Sequence, residues 1–481
     1  MDLQEILNQL KNKNEKDIAL ITRAYNFSQN AHKGQERFSG EPYFTHAFEV
    51  GKNIAEMNLD ASTIAAGLLH DVCEDGHATE KEIEKEFGAD IAFLVRGVTK
   101  LGKLKYRGEE RYRENLRKMV LAMAEDIRVV LIKLADRLHN MQTLAYVSAH
   151  KRKRIADETL EIYAPLADRL GMGKLKSRLE NLAFPFSFPK EYEELEQKVA
   201  QKTANKETYL AKVKYKLAEE LKKESVAVKA MDSRVKNMYS LHRKLQKHNN
   251  NLDEIHDLVA LRIIVENVSD CYTTLGIIHQ LWKPLPGKIK DYIALPKPNG
   301  YQSIHTTVFC IDGEITEFQI RTRAMHEESE NGIAAHWAYE NAGKPTEGAR
   351  VDKKIAWIAQ IRDWQKEIGE TKEFVDSLKI DIFKNRIFVF TPKGDVIDLP
   401  DGATPVDFAY HVHSEIGNHT NGAKVNGKMV PLDYHLKNGD LCEVITQKNK
   451  KPTLAWLDFV KTNYAKSKIR GYLKTSGSGD R

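Results

Sequence analysis

Apolar residues recur at helical spacing through roughly the first 185 positions, with few glycines and little β-branched alternation, which predicts an almost wholly helical segment. The pattern breaks at Phe184-Pro185-Phe186-Ser187-Phe188-Pro189, which reads as a boundary. A charged helical stretch over 190–224 leads into a mixed region, where Asp257 to Glu266 (DLVALRIIVE) and Thr306 to Cys310 read as buried strands. Ile315 to Thr322 alternates, with Glu317, Gln319 and Arg321 on one face and Phe318 and Ile320 on the other. The Gly- and Pro-bearing run 342–348 is a loop, followed by a helical linker. Residues 386–446 then read as strand, a Pro392-Lys393-Gly394-Asp395 turn, strand, a helix opening on Thr404-Pro405-Val406-Asp407, and further strands with tight turns at Asn426-Gly427 and Asn438-Gly439. From Gln447 another helix starts near Leu454, and the Ser-Gly-rich end suggests a chain cut short. The expected organisation is multidomain: an all-α domain with a helical connection over 1–185, an α+β domain over 186–345, a helical linker over 346–384, a small β-grasp module over 385–447, and the start of a helical region over 448–481.

Composition adds little to this and excludes much. At 481 residues the chain can bury several cores. Lys plus Arg exceed Asp plus Glu by 74 − 68 = 6, so nucleotide phosphates or RNA suit it as partners without charge choosing between them. The four cysteines (73, 271, 310 and 442) lie far apart with no CxxC pair, which argues against a disulfide framework or a zinc ribbon. The N-terminus lacks a signal peptide's basic start and apolar run, and no segment reaches membrane-spanning length. The expected location is the cytoplasm, with no membrane partner.

Candidate chemistry first gathers at Leu68-Leu69-His70-Asp71-Val72-Cys73-Glu74-Asp75, after the apolar helical run 61–69. Continued as helix, it puts His70 and Glu74 on one face with Asp71 and Asp75 beside them. So many ionisable groups at the end of a buried segment need a cation or ligand to compensate their desolvation. Arg37 and His46 lie upstream in GQERFSGEPYFTH, and Asp136 and Asn140 lie downstream in IKLADRLHN. His46, His70, Asp71 and Asp136 would give two imidazole and two carboxylate ligands, a set suited to a first-row divalent metal with open positions. Glu74 and Asp75 are left over to act as general base and proton shuttle. Taken singly, each residue reads as a satisfied core histidine or a helix ion pair; the set together reads as a metal site. Nearby, Gly97 to Leu104 nearly spells a P-loop, but Leu104 offers no hydroxyl and the preceding IAFLVR reads as helix, so it is rejected.

This arrangement, continued through VTKLGK (98–103) and ENLRKM (114–119), resembles the HD phosphohydrolase domain of the RelA/SpoT homologue family. The resemblance implies manganese on the four ligands and removal of the 3′-pyrophosphate from (p)ppGpp. It also implies that Arg37, Asn140 and Thr143 hold the guanosine while Glu74 and Asp75 activate water. Phe38 and Gly76 depart from the family's usual basic residue and threonine.

A second constellation begins at Arg234, in RVKNMYSLHRK (234–244), which reads as a helix. On it Lys236, Ser240 and Lys244 recur every four residues and could track a triphosphate, with Arg234 forking onto its oxygens. Alone, the stripe reads as a solvated basic face. Asp257 opens an apolar strand and Glu317 sits on another strand's polar face, so the two could hold one magnesium over the phosphates. Between them lies PGKIKDYIALPKPNGYQSIH (286–305): Lys288, Lys290 and Lys297 supply cations, Asn299 and Gln302 supply hydrogen bonds, and Tyr301 offers a face for a base.

The stretch from about 230 to 340, including EFQIRTRAMHEESENGIAAHWAY (317–339), resembles the same family's (p)ppGpp synthetase domain, an α+β nucleotidyltransferase-like fold. The resemblance implies transfer of the β,γ-pyrophosphate of ATP to the 3′-hydroxyl of GDP or GTP. Arg234, Lys236, Ser240 and Lys244 would hold ATP, and Asp257 and Glu317 the magnesium. Tyr301 would stack on guanine, with Lys297, Asn299, Gln302 and His305 around the acceptor. The KIKD tetrad (288–291) resembles the basic form that accompanies two-activity members, whereas Val235 and Asn237 depart from the usual Pro and His. Residues 386–446 resemble a TGS domain, and 452–473 the start of the helical region after it, parts that sense tRNA on the ribosome or answer to a regulatory protein in the family. The resemblance implies a chain cut short before later zinc-binding and ACT modules. The expectation is a bifunctional alarmone enzyme of the stringent response, GTP pyrophosphokinase and (p)ppGpp 3′-diphosphatase in one chain. The alternatives are a hydrolase with a weak or regulatory synthetase half, and an RNA-binding regulator with degenerate sites.

Overall fold

The computed structural model describes residues 1–10, 13–102, 117–119, 121–123, 125–203, 206–247, 249–255, 258–297, 299–335 and 386–477. The chain divides into two compact units, 1–103 with 125–355 and 104–124 with 356–481. Asp257 and the linker expected over 346–384 lie outside the described residues.

The first unit opens with helices α1 (Leu3–Leu7), α2 (Glu15–Ala31), α3 (Phe44–Glu56), α4 (Ala61–Leu69), α5 (Glu80–Phe87), α6 (Ala89–Gly102), α7 (Ile127–Gln142), α8 (Ala149–Glu158), α9 (Ala164–Arg169) and α10 (Gly173–Ser187). Side-chain caps fix several starts: Asp60 accepts from the Thr63 amide ahead of α4, and Thr79 and Glu82 form a capping box at α5. α4 is the central helix, with Ile64, Leu68 and Leu69 fully buried. It ends at Leu69, so residues 70–76 continue as turns rather than as the helix expected from the sequence. The density of like charge there opposes another helical turn. The P-loop-like run falls inside α6 through Gly102, as its helical lead-in indicated. Pro185 sits within α10, and the chain breaks three residues later, at Phe188, before α11 (Pro189–Thr203).

After α11 and α12 (Lys206–Lys223) comes a six-stranded sheet of β1 (Val228–Val235), β2 (Val259–Val265), β3 (Lys283–Pro284), β4 (Lys290–Asp291), β5 (Ile304–Phe309) and β6 (Ile315–Thr322). Its order is β1-β2-β6-β5-β3, with β4 also on β5, and β2–β6 is its one parallel pair. Helices α13 (Met238–Lys247) and α14 (Val268–Leu281) join strands, and α15 (Arg323–Asn331) follows β6. The period-two pattern sorts the two faces. Leu261, Ile263, Phe318, Ile320 and Val308 pack with Leu217, Leu221, Ile278 and Trp282, each such side chain stabilising by about 2 kcal/mol. The opposite face carries a row in register, Arg234, Ala260, Glu317 and Thr307, and a second row containing Lys290, His305 and Gln319.

The second unit, described over 386–477, pairs β7 (Arg386–Phe390) with β8 (Val396–Pro400), and places β9 (Thr420–Val425) between β10 (Lys428–Val430) and β11 (Cys442–Thr446). Helix α16 (Pro405–Val412) starts as the sequence indicated, with a Thr404–Asp407 capping box and Pro405 in its first turn. Asn426 and Gly427 both take positive φ in the turn between β9 and β10. After α17 (Ser414–Asn418), the tail forms a short α18 (Trp456–Phe459) and a longer α19 (Asn463–Gly477), two residues later than Leu454. Asp407 holds that tail: its Oδ1 accepts from the Thr462 amide at 2.6 Å and the Thr462 hydroxyl at 2.7 Å.

Candidate functional site

The first cluster is assembled from three segments. α3 brings His46, the end of α4 brings His70 and Asp71, and α7 brings Asp136, with Asn140 one turn further on. His46, His70 and Asp136 are all buried, with one donor atom from each within 4.8 Å of the others. Their tautomers can be derived. His70 Nδ1 lies 2.8 Å from the Gly67 carbonyl, which can only accept, so Nδ1 donates there and Nε2 is the atom turned to the cluster. That Nε2 is buried, has no hydrogen-bond partner, and sits 3.1 Å from Asp71 Oδ1. The Arg37 guanidinium, which can only donate, meets His139 Nδ1 at 3.0 Å, so His139 accepts there. His46 Nδ1, 2.8 Å from the same atom, must then donate. Its bare Nε2 faces Asp71 Oδ2 at 3.4 Å and Asp136 Oδ1 at 3.3 Å.

Two imidazole nitrogens and two carboxylates therefore converge. Such a donor set fits a divalent first-row cation. The surrounding groups support it. Burial would raise Asp136, but the Lys133 ammonium 2.6 Å from its Oδ2, together with His46, holds the carboxyl well below its ordinary value. Burial also opposes ionisation of Asp71, yet His70 and His46 keep it lowered. His139 is pushed down to about 3 by burial, His46 and Arg37, so it stays neutral. Partial burial and the Asp71 charge push Glu74 up, a direction that suits a base.

Arg37 Nη2 donates to Asn140 Oδ1 at 2.9 Å, joining two of the predicted substrate-binding residues on the rim. Thr143 caps α7 and donates to the His139 carbonyl at 3.2 Å. Asp75 Oδ2 lies 3.9 Å from His32 Nδ1. Sequence reasoning missed His139, Lys133 and Tyr43, whose hydroxyl donates to Asp71 Oδ2 at 3.0 Å. The first two were within reach, since they stand three residues either side of Asp136 on one helix face.

The second site is a cavity of about 440 Å³ on the polar face of the sheet. Arg234, Lys236, Ser240, Lys244, Lys288, Lys290, Lys297, Asn299, Tyr301, His305 and Glu317 all line it. The helix expected over 234–244 begins only at Met238. Arg234 is instead the penultimate residue of β1, and the Lys236 amide still donates to the Leu258 carbonyl. Of the expected stripe, only Ser240 and Lys244 share a helix. Asn237 is the reason: its Oδ1 accepts from the Ser240 amide at 2.9 Å and so starts the helix after itself.

Glu317 is buried rather than surface-exposed, with His305 Nδ1 at 3.1 Å and Gln319 Nε2 donating at 3.0 Å. Tyr301 Oη meets His305 Nε2 at 2.8 Å, and the Lys297 ammonium lies between the Tyr292 and Tyr301 rings, 4.6 and 4.8 Å from their centroids. Burial lowers Lys297 and raises Tyr301. Gln302 is not among the lining residues; its amide donates to the Ile293 carbonyl at 3.2 Å.

Sequence reasoning also missed that α9 and α10 close this cavity. Asp168, Lys176 and Glu180 line it. Ser240 Oγ donates to Glu180 at 3.2 Å, Asn237 Nδ2 donates to the Ser177 carbonyl at 3.0 Å, and Asn299 Nδ2 donates to the Asp168 carbonyl at 3.2 Å. A Cβ on Gly171 (φ +75°) would come 2.7 Å from the Asn299 carbonyl oxygen, and one on Gly332 (φ +58°) 2.2 Å from the Leu170 oxygen. LGMG (170–173) and NG (331–332) were the signals available in the sequence.

Comparison with known proteins agrees with this geometry. Residues 24–173 match the HD domain, 233–344 the region found in RelA / SpoT proteins, and 387–446 the TGS domain. A GTP pyrophosphokinase of Myxococcus xanthus is 48% identical over 95% of this chain and 61% of its own length. A guanosine-3′,5′-bis(diphosphate) 3′-pyrophosphohydrolase of Aquifex aeolicus is 47% identical over 98% of this chain and 67% of its own. The bifunctional (p)ppGpp synthase/hydrolase SpoT of Escherichia coli is 44% identical over 98% of this chain and 68% of its own. The chain thus spans about three-fifths to two-thirds of the length of these relatives. With near-complete coverage at that identity and all three domains in order, the chain belongs to the RelA/SpoT family.

Proposed function

We propose that this chain both makes and destroys (p)ppGpp, hydrolysing its 3′-pyrophosphate at the His70 cluster and forming it from ATP and GDP or GTP in the sheet cavity. The observation that carries the reading is the buried His70 Nε2, without a hydrogen-bond partner and 3.1 Å from Asp71 Oδ1, in the same chain as a cavity lined by Lys236 and by five Lys and Arg of β1, α13 and the 286–305 segment around the carboxylate of Glu317.

In hydrolysis, His46, His70, Asp71 and Asp136 would hold manganese, which supplies Lewis acidity toward a phosphoryl group and acidifies water. Glu74 takes the proton of the attacking water and Asp75 relays it to solvent. The 3′-oxygen–phosphorus bond breaks, pyrophosphate leaves, and the 3′-oxygen is protonated. Arg37, Asn140 and Thr143 bind the guanosine end. In synthesis, Asp257 and Glu317 would hold magnesium, which neutralises charge on the transferring phosphates. Arg234, Lys236, Ser240 and Lys244 bind the triphosphate. Tyr301 stacks on guanine, with Lys297, Asn299 and His305 around the acceptor, while Gln302, outside the lining, holds the Ile293 carbonyl. The 3′-hydroxyl attacks the β-phosphorus, its proton passes to Glu317 or a neighbouring polar group, and AMP leaves.

Synthesis and hydrolysis running together would waste ATP, so the two sites switch reciprocally, with the helical connection at about 145–200, which includes α9 and α10, and the C-terminal parts as levers. Both reactions consume nucleotides of the cytoplasm, and the TGS unit reads tRNA on the ribosome or a regulatory protein. A second reading, a hydrolase with weak synthesis, is favoured by Asn237 and Glu180, which tie the ATP-side helix to α10. The test is turnover in both directions. Wild type should show both activities, His70→Ala only synthesis, and Glu317→Gln only hydrolysis. Hydrolysis without any 3′-pyrophosphorylated product from ATP, GDP and magnesium selects the second reading; no turnover either way overturns both.

A further inference from the structure

Among the described residues, a second group of metal-competent side chains lies beside the first: His32, Asp75 and His77. We propose that these three form a separate transition-metal site of the zinc class, and that filling it withdraws Asp75 from hydrolysis. The second half rests on the hydrolase reading above; the first half does not.

The donor atoms of the three residues lie within 4.8 Å of one another. His32 follows the last turn of α2, its side chain fully buried and stacked on Tyr43 with centroids 4.9 Å apart, so its ring is fixed. It turns Nδ1 toward the cluster, 3.9 Å from Asp75 Oδ2. His77 stands edge-on to it at 5.5 Å, and its ring is exposed. Gly76, at φ +78°, closes the turn between the two exposed donors, and the His77 amide bonds back to the Val72 carbonyl at 3.0 Å.

The Gln35 side chain bridges the two imidazoles: its Oε1 lies 2.9 Å from His32 Nδ1, and its Nε2 reaches His77 Nε2. An amide that satisfies both rings at once marks a place where both nitrogens already point at one spot. If that neutral side chain swings aside, two nitrogens and a carboxylate oxygen can close on one ion. Tetrahedral donors around zinc stand about 3.3 Å apart, so the 3.9 Å pair needs only a small contraction. Two imidazoles and one carboxylate, with a position left for water, favour zinc, cobalt or nickel over magnesium or calcium. The chemistry differs from the first cluster, where two carboxylates face two imidazoles and Lys133 adds a positive charge.

The consequence follows from connectivity. Asp75 lies four residues from Asp71, and its amide bonds to the Asp71 carbonyl at 3.0 Å. A carboxylate bound to an ion on the His32 side can no longer carry protons away from the first cluster. The site would thus make hydrolysis fall as free zinc rises.

The test is zinc binding by the full chain, measured by competition with a chromophoric chelator. Wild type should bind two zinc ions, His70→Ala one, His77→Ala one, and the double variant none. His77→Ala should weaken the second class by about a hundredfold or more while leaving manganese-dependent hydrolysis in place. Added cobalt should give the visible absorption of a tetrahedral centre in His70→Ala and not in the double variant. Equal zinc stoichiometry and affinity in wild type and His77→Ala overturns the site. For the consequence, zinc should inhibit wild-type hydrolysis at concentrations that leave His77→Ala active. Equal inhibition of both places the effect at the first cluster and overturns that half. If the chain hydrolyses nothing, the hydrolase reading fails and the zinc count still decides the site.

Discussion

Replacing Glu180 by Gln should strengthen ATP binding in the sheet cavity. The Glu180 carboxyl is almost wholly buried and accepts from Ser240 Oγ at 3.2 Å. Ser240 is also the hydroxyl proposed to meet the triphosphate. A phosphate oxygen at hydrogen-bond distance from Ser240 would stand roughly 6 Å from that carboxylate. At an effective dielectric constant of about 20, two unit charges at that separation repel by about 3 kcal/mol, close to a hundredfold in affinity. Lys176 and Arg243 act on the same carboxyl and offset part of this, so we expect a gain of about tenfold or more. Gln keeps the shape and an acceptor for Ser240, so only the charge is removed. Burial raises the Glu180 pKa. The advantage of the variant should therefore grow as pH rises through that raised value, because the wild-type repulsion exists only once the carboxyl ionises. Stability moves with it. A carboxyl raised in the folded state favours folding fully below its unfolded pKa, and that contribution is lost as pH rises through the folded one. The variant should consequently melt higher than wild type on the alkaline side. The assay is calorimetric titration with a non-hydrolysable ATP analogue at several pH values. Affinity within about twofold of wild type from roughly pH 6 to pH 9 would refute the reasoning.

Tyr301→Ala should raise KM for GDP by roughly tenfold to a hundredfold, the worth of one base–aromatic stack, with KM for ATP nearly unchanged; initial-rate kinetics in both substrates check it. Gly171→Ala should destabilise the first unit by about 1–3 kcal/mol, because φ is +75° and the new Cβ meets a backbone oxygen at 2.7 Å; synthesis should suffer more than hydrolysis, as urea melts and two-way turnover would show. Asp407→Ala should cost the second unit about 2–4 kcal/mol by removing both the capping box and the tie to Thr462, read as earlier proteolysis of the tail.

Much of this was legible in the sequence because the chemistry is local. The candidate metal donors fall in short segments: the start of α3, the turn that follows α4, and the body of α7. The alternation of Ile315–Thr322 gave the two faces of β6, and Thr404-Pro405 gave the start of α16. What escaped was set by other parts of the chain. Helical period made 234–244 look like one helix, but pairing of Arg234 with Ala260 across β1 and β2 holds the chain extended until Asn237 starts α13. The same applies to Glu317: alternation told which face it is on, whereas its burial comes from His305 and from helices distant in sequence. FPFSFP looked like a break because proline interrupts helices, yet Pro185 stands near the end of α10 and the turn waits for Phe188. Nothing local to α10 announces that one of its faces lines the cavity on the polar side of the sheet.

That double use places α10 where the reciprocal switching proposed above would need a lever. The helix presents Leu175, Leu179 and Ala183 to buried surroundings and packs against α7, which carries Asp136 and Asn140. It also presents Ser177 and Glu180 to α13, which carries Ser240 and Lys244. Close-packed interiors do not deform continuously, so a helix clamped between two partners shifts as a body. A ligand that pulls α13 away from Glu180 must break the Ser240 and Asn237 bonds and release α10, and with it one wall of α7. The reverse holds for a ligand that tightens α7, since linkage between binding sites is reciprocal. The Asn299–Asp168 bond and the close approaches at Gly171 and Gly332 also tie Asn299 and Gly332 to the turn ahead of α10. The reciprocal switching proposed above would then act through this helix and its leading turn. Substitutions along α10 that touch neither substrate should then change the ratio of the two activities more than either alone.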